Sequence, residues 1–104
     1  MIKYSQKNIN FSDKENVPVL ILHLYKIGNK VFCQTIGKAK PNFKYIGNIP
    51  ENFRPKNLFY IVGQISSGEN LSTRTLYINS DGTIETKYAY DDSMFTAFSV
   101  WETN

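Results

Sequence analysis

The chain is poor in the residues that build metal and redox chemistry. Among its 104 residues there is one cysteine, Cys33, one histidine, His23, and one tryptophan, Trp101. A single thiol excludes an internal disulfide framework and a paired-cysteine metal knuckle. A single imidazole excludes HExxH zinc chemistry and any multi-histidine centre. No GxxxxGK[ST] phosphate cradle occurs, and nothing matches the D-x-[DN]-x-[DN]-G calcium loop. No apolar run approaches the ~18 residues needed to cross a bilayer, and Met1-Ile2-Lys3 opens no signal-peptide core. The expectation is a chain with no cofactor, no metal, no catalytic residues and no membrane insertion.

What the chain does have is aromatic rings and an uneven charge. Seven Tyr, seven Phe and one Trp make 14% of the residues, beside a hydrophobic fraction of 41% and a charged fraction of 20%. Such enrichment suits a pleated, half-buried surface, and the length suits one domain. The formal net charge of +3 divides into +7 over residues 1–56 and −4 over residues 57–104. A nucleic-acid binder ordinarily carries a more dominant positive field, so nucleic acid is not the expected partner. Lys38, Lys40, Lys44 and Lys56, interleaved with Phe43 and Tyr45, keep single-strand binding as a further reading.

Residues 1–16 are polar and read as a linker, an N-terminal extension or a loosely attached first strand, with the folded domain running over 17–104. Val17 to Ile27 alternates Val19, Ile21, His23, Tyr25 and Ile27 against Leu20, Leu22, Leu24 and Lys26. Both faces are apolar, which predicts cover on both sides: the core on one, and on the other sister copies hiding a leucine face too large to leave in water. Gly28-Asn29 then joins this run to Lys30–Ile36, a hairpin with glycine at the first central position. Further strands are expected at 58–65, 73–79, 83–90 and 94–102, with a turn at Asn79-Ser80-Asp81-Gly82. Helical spacing is sustained nowhere. Six or seven short strands with regular turns predict an all-β antiparallel β-sandwich.

Three stretches taken in order resemble a family. Tyr25-Lys26-Ile27-Gly28-Asn29-Lys30-Val31 is similar to the R-V-G-N-x-V hairpin of the C-terminal domain of bacteriophage tail-fibre and baseplate receptor-binding proteins. Ile49-Pro50-Glu51-Asn52-Phe53-Arg54-Pro55 resembles its I-P-x-G-[FY]-R-P segment, and Leu76 to Ile84 resembles its L-x-I-x-x-D-G-x-[IV] hairpin. Asn52 stands where the family has glycine, and Lys26 where it has arginine; asparagine also tolerates positive φ, whereas lysine lacks the bidentate fork. The resemblance implies a jelly-roll-like sandwich, a homotrimer, and a non-enzymatic place at the tip of a virion tail appendage, or in the bacterial cytoplasm before assembly. It also implies contact with other tail or baseplate proteins and with a host cell-surface saccharide. The alternative within it is a structural module that trimerises or caps the appendage without binding ligand.

The residues themselves offer a saccharide site. Sugars take an aromatic surface for their apolar face and fixed polar groups for their hydroxyls. Tyr88, Tyr90, Asp91, Asp92 and Trp101 supply both if the last two strands are neighbours. Tyr88 and Trp101 read equally as core or intersubunit packing, and Asp91-Asp92 as solvated loop carboxylates. His23 between Leu22 and Leu24 reads as a structural histidine, Cys33 as a buried inert thiol, and Arg54 as a donor to loop carbonyls.

Overall fold

A computed structural model describes residues 4–67, 70–87 and 93–103 of the chain. These form seven strands: β1 (Tyr4–Ser12), β2 (Pro18–Ile27), β3 (Lys30–Ala39), β4 (Phe59–Ser67), β5 (Asn70–Ile78), β6 (Ile84–Glu85) and β7 (Ser93–Glu102), with a single 3₁₀ turn at Glu51–Phe53. They lie in one antiparallel sheet in the order β1-β2-β3-β7-β4-β5-β6. The sheet curls into an open half-barrel. The expected two-sheet β-sandwich, jelly-roll-like in outline, is therefore corrected. Alternation reports which face of a strand is buried and says nothing of what lies opposite. Here the sheet curls over its own core, and part of the opposing layer is irregular chain.

Residues 4–12 contribute a full strand, whose register against β2 runs from Tyr4↔Ile27 to Phe11↔Leu20. The β2–β3 hairpin turns at Gly28, whose φ of +61° is open to glycine at no steric cost. Strand β7, last in sequence, docks on β3 along its whole length, from Lys30↔Glu102 to Ala39↔Ser93.

The face assignment of β2 is the second correction. Leu20, Leu22 and Leu24 are fully buried and line the concave core, together with Phe11, Val31, Cys33, Phe95, Ile61 and Leu76. Three buried leucines contribute about 5–9 kcal/mol of transfer free energy before chain entropy is counted. The leucines need no second chain to hide them. The large apolar side chains left in solvent on this strand are Ile21, Tyr25 and Ile27, on the opposite face.

The open side of the half-barrel is filled by the connection from Lys40 to Pro55. Tyr45, Ile49 and Phe53 from this connection are buried in the common core. The same segment laces the two sheet edges, through bridges Ser12↔Ile46 on β1 and Lys44↔Glu85 on β6. Its near end is fixed by polar contacts: the Tyr45 hydroxyl donates to the Lys38 carbonyl and accepts from the Lys40 amide at 3.0 Å, and the Thr86 hydroxyl accepts from the Phe43 amide at 2.9 Å.

One seam in the sheet is sparse. β4 meets β7 in register at a single pair, Gln64↔Thr96. Close approach at that point requires Gly63, where an added Cβ would lie 2.4 Å from the Phe95 ring and 2.5 Å from the Thr96 carbonyl oxygen.

Candidate functional site

Three sequence segments that are far apart in the chain converge on Ile49–Pro55. Lys26, at the end of β2, donates its ammonium to the Asn52 carbonyl at 2.8 Å. Arg54 donates Nε to the Ile49 carbonyl at 2.7 Å and Nη2 to Asn48 Oδ1 at 2.5 Å, and Asn48 in turn donates to the Asp81 carbonyl at 3.0 Å. The Ile49 amide closes the circle by donating to the Gly82 carbonyl at 2.9 Å. Gly82 sits at φ +87°, and a Cβ there would lie 2.5 Å from the Ile49 oxygen and 2.6 Å from Arg54 Nε. The turn thus needs glycine twice, for conformation and for space. Asp81 accepts from both the hydroxyl and the amide of Thr83, which hold its carboxyl below the usual aspartate range, with Lys44 and Arg54 adding a smaller pull.

Trp101 completes this knot from β7. Its indole N–H donates to the Phe53 carbonyl at 2.7 Å, and its ring is buried at 4% exposure against Phe59, with centroids 5.3 Å apart. Beside it runs a shallow groove of about 330 Å³ lined by Pro55, Lys56, Asn57, Leu58, Phe59, Trp101 and Glu102. Pro55 leaves the knot and the Lys56 amide donates to the Glu102 carbonyl at 3.3 Å, which sets the two walls side by side. The groove combines aromatic and aliphatic wall with an ammonium donor, an amide and a carboxylate acceptor, a set of donors and acceptors suited to a polyhydroxylated ligand.

Of the sequence-predicted site residues, Tyr88, Tyr90, Asp91 and Asp92 lie outside the described residues. Trp101 is packed into the core and edges the groove. The described strands β6 and β7 are not neighbours in the sheet, since β5 and β4 lie between them. Lys56 stands out in the sequence only as part of the lysine–aromatic cluster, and Asn57, Phe59 and Glu102 carry no signal of their own; only their position after Pro55 and Trp101 could have found them.

The lysine–aromatic cluster does not form one surface. Tyr45 is buried, Lys40 lies over the Phe43 ring at 5.8 Å, and Lys56 is hydrogen-bonded beside Glu102, at the end of β7 opposite to the Lys38↔Met94 pair. Phe43 and Tyr45 therefore give this cluster no run of exposed rings for bases to stack on. His23 is half-buried on the outer face, its Nδ1 2.8 Å from Asn8 Oδ1 on the edge strand. Burial pushes the Cys33 thiol up to about 11, against a weaker opposing hydrogen bond with Thr35. Among the described residues no group of three or more His, Cys, Asp or Glu side chains is placed to hold a metal ion. No helix is long and apolar enough to cross a membrane.

Comparison with protein-family models and with curated proteins yields no match for this chain.

Proposed function

We propose that this chain is a non-enzymatic module of a bacteriophage or prophage tail fibre or baseplate, acting in attachment to a bacterial surface through a saccharide. The observation that carries the reading is the knot. The three motifs of the sequence resemblance meet at one place, where Lys26, Arg54, Gly82 and Phe53 each make a contact that their neighbours in the motif require. The contacts join the three stretches into one hydrogen-bonded unit, and this is what supports reading them together. The reading needs the knot and the groove beside it, and not a two-sheet architecture. The Trp101–Phe59 groove is the ligand site in this proposal, with Lys56, Asn57 and Glu102 addressing hydroxyl groups.

The test is binding of the labelled full chain to purified cell-wall polysaccharides and to a glycan array. A saccharide that binds the parent and is lost in an Asn57→Ala, Glu102→Ala double variant supports the reading. Failure to bind across cell walls from many bacteria refutes it. The structural reading, a module that trimerises an appendage without ligand, is favoured by a separate observation: the outer face of the sheet is apolar.

A further inference from the structure

The convex face of the half-barrel carries rows of registered side chains across β2, β3, β7 and β4. One row is continuous, Ile21↔Ile36↔Thr96↔Gln64; the next aligns His23↔Gln34↔Phe98, and the next Tyr25↔Phe32↔Val100. Phe98 is 68% exposed, Val62 58%, Met94 57% and Tyr60 52%. None of these rows contains Lys, Arg, Asp or Glu. His23 is the one titratable group in them apart from Tyr25, and it is paired with Asn8. Aromatic enrichment with charge depleted from the centre is the composition of an interface core.

The same face holds a protrusion and a hollow. Between β4 and β7, where the ladder thins to one pair, lies a furrow of about 420 Å³. Gly63 leaves its floor open, Ala97 lines it, Val62 and Phe98 are its apolar walls, and Gln34 and Gln64 part of its polar rim.

We propose that this face binds a second copy of this chain, seating Phe98 of one copy in the β4–β7 furrow of the other. Three observations select a copy over an unrelated partner. Knob and hole on one patch satisfy the self-complementarity of a closed assembly, in which what one copy offers the other receives. An uncharged centre meets its own image without like-charge repulsion, whereas a foreign partner is ordinarily selected by complementary charge. Phe98, Val62, Met94, Tyr60 and Val100, on the neighbouring strands β4 and β7, are each 42–68% exposed, a contiguous run and not the scattered single side chains of an ordinary monomer surface. This deepens the assembly side of the proposed function by naming the surface, and it requires no saccharide.

The experiment is sedimentation velocity on the full chain, with Phe98→Lys, Val62→Lys and, outside the face, Lys14→Glu. Phe98 and Val62 are exposed, so their variants keep the parent's circular dichroism and a cooperative melt while losing association. The parent and Lys14→Glu sediment as a discrete oligomer, and both lysine variants on the face shift to the monomer mass. A parent that stays monomeric at roughly 100 µM, a concentration that populates any Kd tighter than that, overturns the proposal. So does an oligomer that survives both face variants. Saccharide binding by monomeric Phe98→Lys is read separately, so failure of attachment and failure of assembly are distinguishable.

Discussion

Replacing Arg54 by alanine should unfasten the knot at Ile49–Pro55. The guanidinium supplies a 2.7 Å bond to the carbonyl of Ile49, a fully buried residue, and a 2.5 Å bond to Asn48 on the solvent side. A hydrogen bond from a charged donor contributes about 1.5–3 kcal/mol, and its removal strands the buried acceptor; the exposed bond adds well under ~1 kcal/mol. The expected loss is about 2–4 kcal/mol. For a domain of this size each 1 kcal/mol moves the midpoint by about 4–8 °C, so Arg54→Ala should melt about 8–32 °C below the parent. Arg54→Lys, with one point charge in place of a planar fork, should lie between the two. Gly82→Ala places a methyl 2.5 Å from the same Ile49 oxygen and 2.6 Å from the same Nε, so it damages the same bond. The double variant should therefore lose at least ~1 kcal/mol less than the sum of the singles. Thermal denaturation followed by circular dichroism reads all four proteins. It is best done in the Phe98→Lys background, so that association does not enter the midpoint. An Arg54→Ala midpoint within about 2 °C of its parent, against the shift worked above, or full additivity with Gly82→Ala, would refute the account of the knot.

Trp101→Phe keeps an aromatic ring but removes the N–H that the buried Phe53 carbonyl accepts; urea titration should show a loss of about 1–3 kcal/mol with an unchanged m-value. Asp81 is held charged by Thr83, so its folded pKa is depressed. Its stabilisation should be complete above the ordinary aspartate range and vanish as pH falls through the lowered value, so the gap between parent and Asp81→Asn should close on the acid side and stay constant at neutral pH. Cys33, buried and with its thiol raised to about 11, should resist a disulfide reagent at about pH 8 in the native protein and react at once in denaturant; native labelling at the unfolded rate would show the thiol to be accessible.

Local chemistry was legible in the sequence wherever neighbours in the chain decide the outcome. The Gly28-Asn29 hairpin, the Asp81-Gly82 turn and the alternation of β2, β3 and β7 follow from side chains within a few residues of one another. The strand at 4–12 did not stand out, because its outward residues Gln6, Asn8 and Asn10 are polar and only Phe11 is fully buried. The layer opposite the sheet was hidden for a different reason. Tyr45, Ile49 and Phe53 reach the core at a spacing of four from a connection in which Pro41, Gly47 and Pro50 break both ladder and helix, so their spacing announces no regular element. Without that plug in view, short strands with regular turns read as two packed sheets, and the two apolar faces of β2 as a core face and a face hidden by sister copies. The candidate site was legible only at Trp101, since the groove is made by juxtaposing Pro55–Phe59 with the end of β7, a contact across more than forty residues of chain.

The β4–β7 seam has a consequence for how the molecule is made. The meander β1-β2-β3 and the hairpin β4-β5 can each form from neighbouring residues, yet they share no ladder until β7 arrives between them. On a ribosome, the two pieces must wait with their greasy sides unclosed until residues 93–102 emerge. That final strand acts as a zipper on the β3 side and a single rivet on the other. Such late, long-range closure belongs to slow-folding topologies, and the two pieces of the curled sheet then meet through one registered pair, Gln64↔Thr96, with Gly63 packed close beside it.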